Sequence, residues 1–471
     1  MQAVAIQVMT NDVTVLDRIL LHEYTKLNVL YNKILSLKKA VFEDQDRIYF
    51  VHSPTDSLDI VQELLEFVDI PEFFVVFEPD ATSPPFVLDF VPQDTHCIYP
   101  WINSVIWNQG DLSPCCLYNG DSGANIKRDS IVAYYTSKDM LVLREQFRQG
   151  KRASGCSQCW TNESAGVVSM RQAAKYKLKD IYYQIDYSQD DVQNLHMLDL
   201  KLGNTCNLSC RICDGRSSVK IAEQELSYQR IDAQQVAQLK DASQWSESEN
   251  FQKQLLPIAN NLTYLDIYGG EPLMSRAHFN LLKALIDLGV SSNIKLDYNT
   301  NGTVYSDKFF EYWQHFKEVK LSFSIDNIGE RFELERNGAA WATVCENIAK
   351  FNARTSSRFK TDVFPTVSML NVYYLPELLD WIDSQNFSQA PSFNTLSEPN
   401  HFAINNLPQP VKKAVAEKLQ TRDKLLPIVA YMNQGGRNLI DVAKTHIRRA
   451  DQERAQSFAS THSDFANIID Y

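Results

Sequence analysis

Apolar and polar positions group into short bursts along this chain, and the bursts change character three times. Near the start, Val4-Ala5-Ile6-Gln7-Val8 reads as a strand, and Val15 to Ala40 carries helical apolar spacing through Leu16, Ile19, Leu20 and Leu27. Ile48-Tyr49-Phe50-Val51 and Phe73-Phe74-Val75-Val76-Phe77 are compact β-branched and aromatic runs of the buried-strand type, with a helix expected between them over Ser57 to Val68. Ser83-Pro84-Pro85 then breaks the pattern. Residues 1–88 are read as a small α/β domain with scaffold or docking work and no recognisable chemistry.

Over 89–180 the pattern shortens. Val105-Ile106-Trp107 predicts a strand, Asn108-Gln109-Gly110-Asp111 its hairpin turn, and Met140 to Arg148 a helix. From 195 to 400 strand and helix patterns alternate, the signature of a parallel α/β sheet or barrel. The expected strands are His196–Lys201, Leu262–Tyr268, Ile294–Tyr298, Val319–Ser324, Asp362–Met369 and Ala390–Thr395, with helices such as Arg276–Leu288 and Leu375–Gln385 between them. Six units make an open, partial (β/α)6 barrel whose working residues sit at the C-terminal strand ends. The tail, 401–471, reads as helical and polar, a packing element with Arg448 to Arg454 as a solvated charged face.

Composition narrows the class. A chain of 471 residues with 44% hydrophobic and 22% charged content can bury a full core, and its length suits about three domains. The net charge of −12 argues against a general nucleic-acid binder. No apolar run reaches membrane-span length, and no basic segment leads into an apolar signal core, so a cytoplasmic location is expected.

The nine cysteines change the picture most. Cys206, Cys210 and Cys213 stand in C-x3-C-x2-C spacing just after an apolar run; three thiols on one loop can ligate three irons of a [4Fe-4S] cluster and leave the fourth open to an external ligand. Cys97, Cys115, Cys116, Cys156 and Cys159 form a second group. A hairpin bearing a ligand at each end, closed by the later C-x2-C, gathers four thiolates suited either to zinc or to a fully ligated [4Fe-4S] cluster. Only one of Cys115 and Cys116 is expected to be a ligand, because consecutive side chains of a strand point to opposite faces. Cys345 stands alone and reads as a packed core residue. Polar residues follow the next strands: Tyr268-Gly269-Gly270-Glu271-Pro272, Asn299-Thr300-Asn301-Gly302 and Ser324-Ile325-Asp326-Asn327. A Gly-Gly-Glu bulge offers acceptors to an ammonium group, and Ser, Asn and Asp suit ribose hydroxyls.

Through C-N-L-S-C-R-I-C, Y-G-G-E-P, N-T-N-G and S-F-S-I-D the sequence resembles the radical S-adenosylmethionine (SAM) superfamily. The resemblance implies that Cys206, Cys210 and Cys213 hold a [4Fe-4S] cluster whose open iron chelates SAM. It further implies that Gly269, Gly270 and Glu271 receive the SAM amino group, and that Asn301, Ser324 and Asp326 lie among the cofactor contacts. Ile212 departs from the aromatic residue found there in many members. The C-I-Y-P-W, P-C-C and G-C-S-Q-C-W pieces of 89–180 are similar to the SPASM or twitch auxiliary-cluster modules, here placed before the SAM domain. Gly166–Arg171 and Arg331–Trp341 look like the same group, with Arg336 either reaching a carboxylate or forming a surface ion pair. The implied activity is reductive SAM cleavage and abstraction of a substrate hydrogen, with an auxiliary [4Fe-4S] cluster assisting oxidation or modification of a peptide, protein or small molecule. A flavodoxin- or ferredoxin-type electron donor is implied too. The rival reading is a non-catalytic zinc or Fe–S electron-carrier or structural protein.

Overall fold

The computed structural model describes residues 95–471, apart from 165, 167, 183 and 184, together with four strands nearer the N-terminus. The chain divides into two compact units, Met1–Val91 and Pro92–Tyr471. In the first, β1 (Val4–Met9), β2 (Arg18–Leu21), β3 (Arg47–His52) and β4 (Phe74–Phe77) form a sheet of order β2-β1-β3-β4. Three of these are the expected strands. β2 falls inside the segment read as helical: Arg18–Leu21 pairs antiparallel with β1, so strand pairing overrides a local spacing that also fits a helix. The helix expected over Ser57–Val68 and the Ser83-Pro84-Pro85 break lie outside the described residues.

The second unit is built on a seven-stranded sheet of order β11-β10-β9-β8-β7-β5-β6. Its strands are β5 (Asn103–Ile106), β6 (Leu112–Ser113), β7 (Met197–Lys201), β8 (Tyr264–Tyr268), β9 (Lys295–Thr300), β10 (Glu318–Phe323) and β11 (Phe359–Val363). β5 and β7 to β11 pair in parallel, and β6 folds back antiparallel on β5. The mixed α/β architecture with a parallel sheet is that of a partial barrel.

Two expectations need correction. The strand predicted over Asp362–Met369 breaks after Val363, because Pro365 has no N–H to give a ladder. The chain resumes as β12 (Thr366–Val367), which pairs in parallel with β13 (Asn394–Thr395), all that forms of the predicted sixth strand. The sixth parallel strand of the main sheet is instead β5, from the cysteine-rich segment.

The sheet has two unlike faces. Leu198, Leu200, Leu265, Ile267, Leu296, Val319, Leu321 and Phe323 share one face and join a single apolar core with the helices that cross between strands. The helix Arg276–Asp287 shows how these helices are specified: Ser275 caps it by accepting from the His278 N–H, and Leu281, Leu282 and Leu285 face the core. Such a cap contributes about 1 kcal/mol. Helices also form at Lys138–Arg148, Trp341–Asn352 and Leu375–Ser384, as the spacing predicts.

The C-terminal helices are tied to the sheet by one side chain. Arg211, only 1% exposed beyond its backbone, donates through Nε to Leu334 O (3.1 Å), through Nη1 to Ile447 O (3.5 Å) and through Nη2 to Asp451 Oδ1 (2.5 Å) and Gln456 Oε1 (3.0 Å). The other oxygen of Asp451 accepts from the Phe458 N–H and the Tyr471 hydroxyl. Arg211→Gln removes the cation from this buried pair and is expected to cost about 3–5 kcal/mol, read as a lower denaturation midpoint in urea. An unchanged midpoint would show that the pair does not secure the tail.

Candidate functional site

The cysteine loop leaves the C-terminal end of β7 and is held on both sides. On one side Gly270 has φ +60°, and a Cβ there would stand 2.4 Å from Thr205 O, so only glycine lets the second loop lie this close. The Glu271 N–H donates to that same Thr205 carbonyl at 2.8 Å. On the other side the Ser209 and Arg211 N–H groups donate to Asn337 O (2.9 Å) and Glu335 O (2.8 Å), and Asn337 Nδ2 donates to Ser209 Oγ (2.8 Å). Within the loop Cys213 N–H turns back to Cys210 O at 3.2 Å. The Leu208 N–H points at Cys206 Sγ (3.5 Å) and Asn301 Nδ2 approaches it at 4.0 Å; burial pushes the thiol up to about 11, and the Leu208 N–H works against that rise.

The expected strand-end residues converge on this loop, but several carboxylates are already engaged. Glu271, fully buried, accepts from Leu273 N–H (3.1 Å), Thr300 Oγ1 (2.8 Å) and Asn301 N–H (2.7 Å). Burial raises its pKa and those hydrogen bonds pull it back. Its carboxylate thus joins the β8 and β9 loops, and what the Gly-Gly-Glu turn leaves for a ligand is backbone. Asn301 Nδ2 donates to Asn207 Oδ1 at 3.0 Å, next to Cys206. Asp326 accepts from the Thr366 N–H (2.8 Å) and from Arg336 Nη2 (2.6 Å). That ion pair is buried rather than superficial, and it makes Asp326 the anchor of Arg336. Ser324, half-buried at the end of β10, carries no such engagement of its hydroxyl among the described contacts.

Burial raises the Cys210 thiol pKa; the Arg336 charge pulls it back, the Asp326 carboxylate opposes that, and the Arg454 charge lowers it further. Arg454 was expected on a solvated face. It is half-buried instead, with Nε and Nη1 inaccessible and without hydrogen-bond partners, because the Arg211–Asp451 pair draws the end of its helix onto the cysteine loop.

The second thiol group surrounds a small cavity of about 20 Å³, lined by Cys97, Tyr99, Cys115, Leu117, Cys156, Cys159, Met170 and Arg171. Cys116 is absent from this lining. The chain turns at Cys115, whose carbonyl accepts from the Tyr118 N–H (3.2 Å), and the Cys116 thiol lies against Met170 Sδ at 3.7 Å. Burial pushes the Cys156 thiol up to about 12 and raises the Cys97 and Cys115 thiols well above their ordinary value. Arg171 closes one wall. It is gripped bidentately by Glu163 (3.0 and 2.6 Å) and donates to His96 O (2.8 Å). Among the described residues no three His, Cys, Asp or Glu side chains converge on a single metal-ion position. Cys345 is half-buried on the helix Trp341–Asn352, apart from both groups.

Sequence patterning alone did not single out Arg171, Arg211 or Arg454, since arginine spacing carries no signal of which face it meets. A row of aspartates on the sheet's polar face was also passed over, although Leu-Asp-Leu, Leu-Asp-Ile and Leu-Asp-Tyr recur in β7, β8 and β9. That recurrence was readable.

Residues 200–382 match the family described as the Radical SAM superfamily. The curated protein "Radical SAM cyclopropyl synthase TigE" of Paramaledivibacter caminithermalis is 23% identical over 256 residues, 53% of this chain and 51% of that protein. The chain thus spans about half the length of this relative. Among solved structures, native anSMEcpe with bound AdoMet is 17% identical with a TM-score of 0.33, over 52% of this chain and 65% of that one. Streptococcus suis SuiB bound to precursor peptide SuiA is 13% identical with a TM-score of 0.30, over 58% and 54%. The matched segment begins in β7, contains the cysteine loop and every strand-end motif, and closes in the helix Leu375–Ser384. The match to the Radical SAM superfamily thus covers residues 200–382, less than half of this chain.

Proposed function

We propose that this chain is a radical SAM enzyme with an auxiliary Fe–S cluster, acting on a peptide, protein or small-molecule substrate. The observation that carries the reading is the three-thiol loop, pinned between the Gly-Gly-Glu turn and residues 335–337 inside the matched segment. Cys206, Cys210 and Cys213 are the proposed ligands of a [4Fe-4S] cluster with one open iron. The donors aimed at Cys206 and the cations beside Cys210 suit an anionic cluster. When bound, the cluster supplies the electron that cleaves SAM to methionine and a 5′-deoxyadenosyl radical.

The chain's own residues have the remaining work. Backbone groups at Gly269 and Gly270 receive the SAM ammonium, Ser324 and Asn301 stand at neighbouring strand ends for its polar groups, and Arg336, fixed by Asp326, offers a guanidinium to its carboxylate. Positioning of this kind, with water excluded, is what the protein adds to cofactor chemistry. An external one-electron donor of the flavodoxin or ferredoxin type completes the scheme.

Cys97, Cys115, Cys156 and Cys159 are the proposed ligands of the auxiliary cluster. They line one small cavity, and four gathered thiolates suit a fully ligated [4Fe-4S] cluster, with a zinc ion as the rival occupant. The substrate class follows the resemblance of residues 89–180 to auxiliary-cluster modules, an argument by analogy. Among the described residues no helix is long and apolar enough to cross a membrane.

Anaerobic reconstitution tests both assignments. About eight irons per chain are expected, and about four in Cys115→Ala, with no loss in Cys116→Ala. Zinc in place of iron would overturn the reading. Reductant-dependent 5′-deoxyadenosine should disappear in Cys210→Ala, and its persistence would refute the ligand set on the loop.

A further inference from the structure

The face of the sheet opposite the helices is polar from β7 to β11. Asp199 pairs in register with Asp266, Asp266 with Asp297, and Asp297 with Lys320, so these side chains form one row across four parallel strands. Lys201, Tyr268, Asn299 and Ser322 form the next row, immediately before the strand ends. Parallel strands are ordinarily apolar on both faces. A charged second face, with the Asp266 side chain 24% and the Lys320 side chain 26% exposed, is therefore partly open to solvent.

The charges on this face do not balance. Lys177 Nζ serves two carboxylates, Asp297 at 3.4 Å and Asp266 at 3.9 Å, and Lys320 serves Asp362 at 2.8 Å. Asp199 has no ion pair among the described residues. It is 1% exposed, and its Oδ1 has no partner within hydrogen-bond distance; the buried Tyr268 hydroxyl of the adjoining row is its polar neighbour and likewise reaches no acceptor within that distance. Lys201, two residues along the same strand, sets its ammonium over the Trp107 ring (3.7 Å) and the Tyr268 ring (5.1 Å) instead. Burial and the Asp266 carboxylate raise the Asp199 pKa to about 7, while the Tyr268 hydroxyl and the Lys201 and Lys177 ammonium groups pull it back. A buried carboxylate with no cation in direct contact is unfavourable, and a cation arriving there relieves it.

We propose that Asp199 and Asp266 bind a cationic group of the substrate, an ammonium or a guanidinium. The inference rests on the reading that SAM binds at the C-terminal strand ends. Asp199 lies two residues short of the end of β7, about 7 Å along the strand, so a cation held there leaves the adjoining carbons directed at the SAM position. The same face is covered in part by the cysteine-rich segment, which contributes Lys177 and the Cys116 thiol, a close charge neighbour of Asp199. The bound group would thus lie between the two thiol sets. A peptide side chain and a free amine metabolite present the same chemistry here.

The test uses the reconstituted full chain with SAM and no reductant, and ligand-observed NMR with n-butylammonium, n-butylguanidinium, 1-butanol, butyrate and the peptide acetyl-Gly-Lys-Gly-amide. At least one cation should bind at least about tenfold more tightly than butanol and butyrate. Asp199→Asn should remove that preference. Lys177→Gln, which releases Asp266 and Asp297, should strengthen cation binding, a gain that simple damage to the fold would not produce. Circular dichroism checks each variant, and Asp266→Asn replaces Asp199→Asn if the latter does not fold. Peptide binding stronger than that of the butyl cations marks a peptide source, and the reverse marks a metabolite. Equal binding of butanol and the cations, or a cation preference that survives Asp199→Asn, overturns the proposal. Wild-type 5′-deoxyadenosine formation is measured on the same preparation, so a failure of SAM cleavage is seen separately from a failure of cation binding.

Discussion

The buried guanidinium of Arg211 is the contact on which the rest of the site depends. It stands between the second and third thiols of the cysteine loop, and its partners come from Leu334, Ile447, Asp451 and Gln456. A loop of this composition has no periodic hydrogen bonding of its own, so its shape is set by what it is bonded to. Here the backing is a segment more than a hundred residues away, and behind that the C-terminal helix. The tail is thereby part of the site's foundation. The same attachment draws Arg454 toward Cys210, so one ion pair organises both the loop's shape and the positive field around its middle thiol.

Several side chains expected to meet a ligand instead meet each other. Glu271 joins the loops after β8 and β9, and Asp326 fixes Arg336. Each is a buried carboxylate that would be costly if left without donors, and each is satisfied inside the fold. Beside these engaged carboxylates stand the backbone of the glycine turn, an oriented arginine and the hydroxyl of Ser324. That is a division of labour between groups that hold the frame and groups that the frame presents.

The cysteine-rich segment is structurally continuous with the barrel. Its β5 extends the parallel sheet beside β7, and its helix Met170–Lys177 sends Lys177 onto the polar face. The four-thiol cavity and the cysteine loop therefore flank one sheet within one compact unit. A fixed spacing between the two thiol sets follows from this more naturally than from a tethered module.

How much of this was legible in the chain differs from feature to feature. The strands β7 to β10 and the helices between them followed from alternation and helical spacing, because burial on one face imposes those periods locally. The cysteine groups and the Gly-Gly-Glu turn were equally visible, since their chemistry depends on residue type and short spacing. By itself the sequence determined a parallel α/β architecture and two thiol sets. It left open whether Cys115 or Cys116 faces the cavity, because a turn two residues long decides the direction and no period marks it. It also placed Arg454 in solvent and Asp326 in the ligand shell, because the partners of a charged side chain are chosen by contacts across 10 to 240 positions of chain. Only the tertiary structure decided those pairings, since a buried charge takes whichever donor or acceptor folding brings within reach.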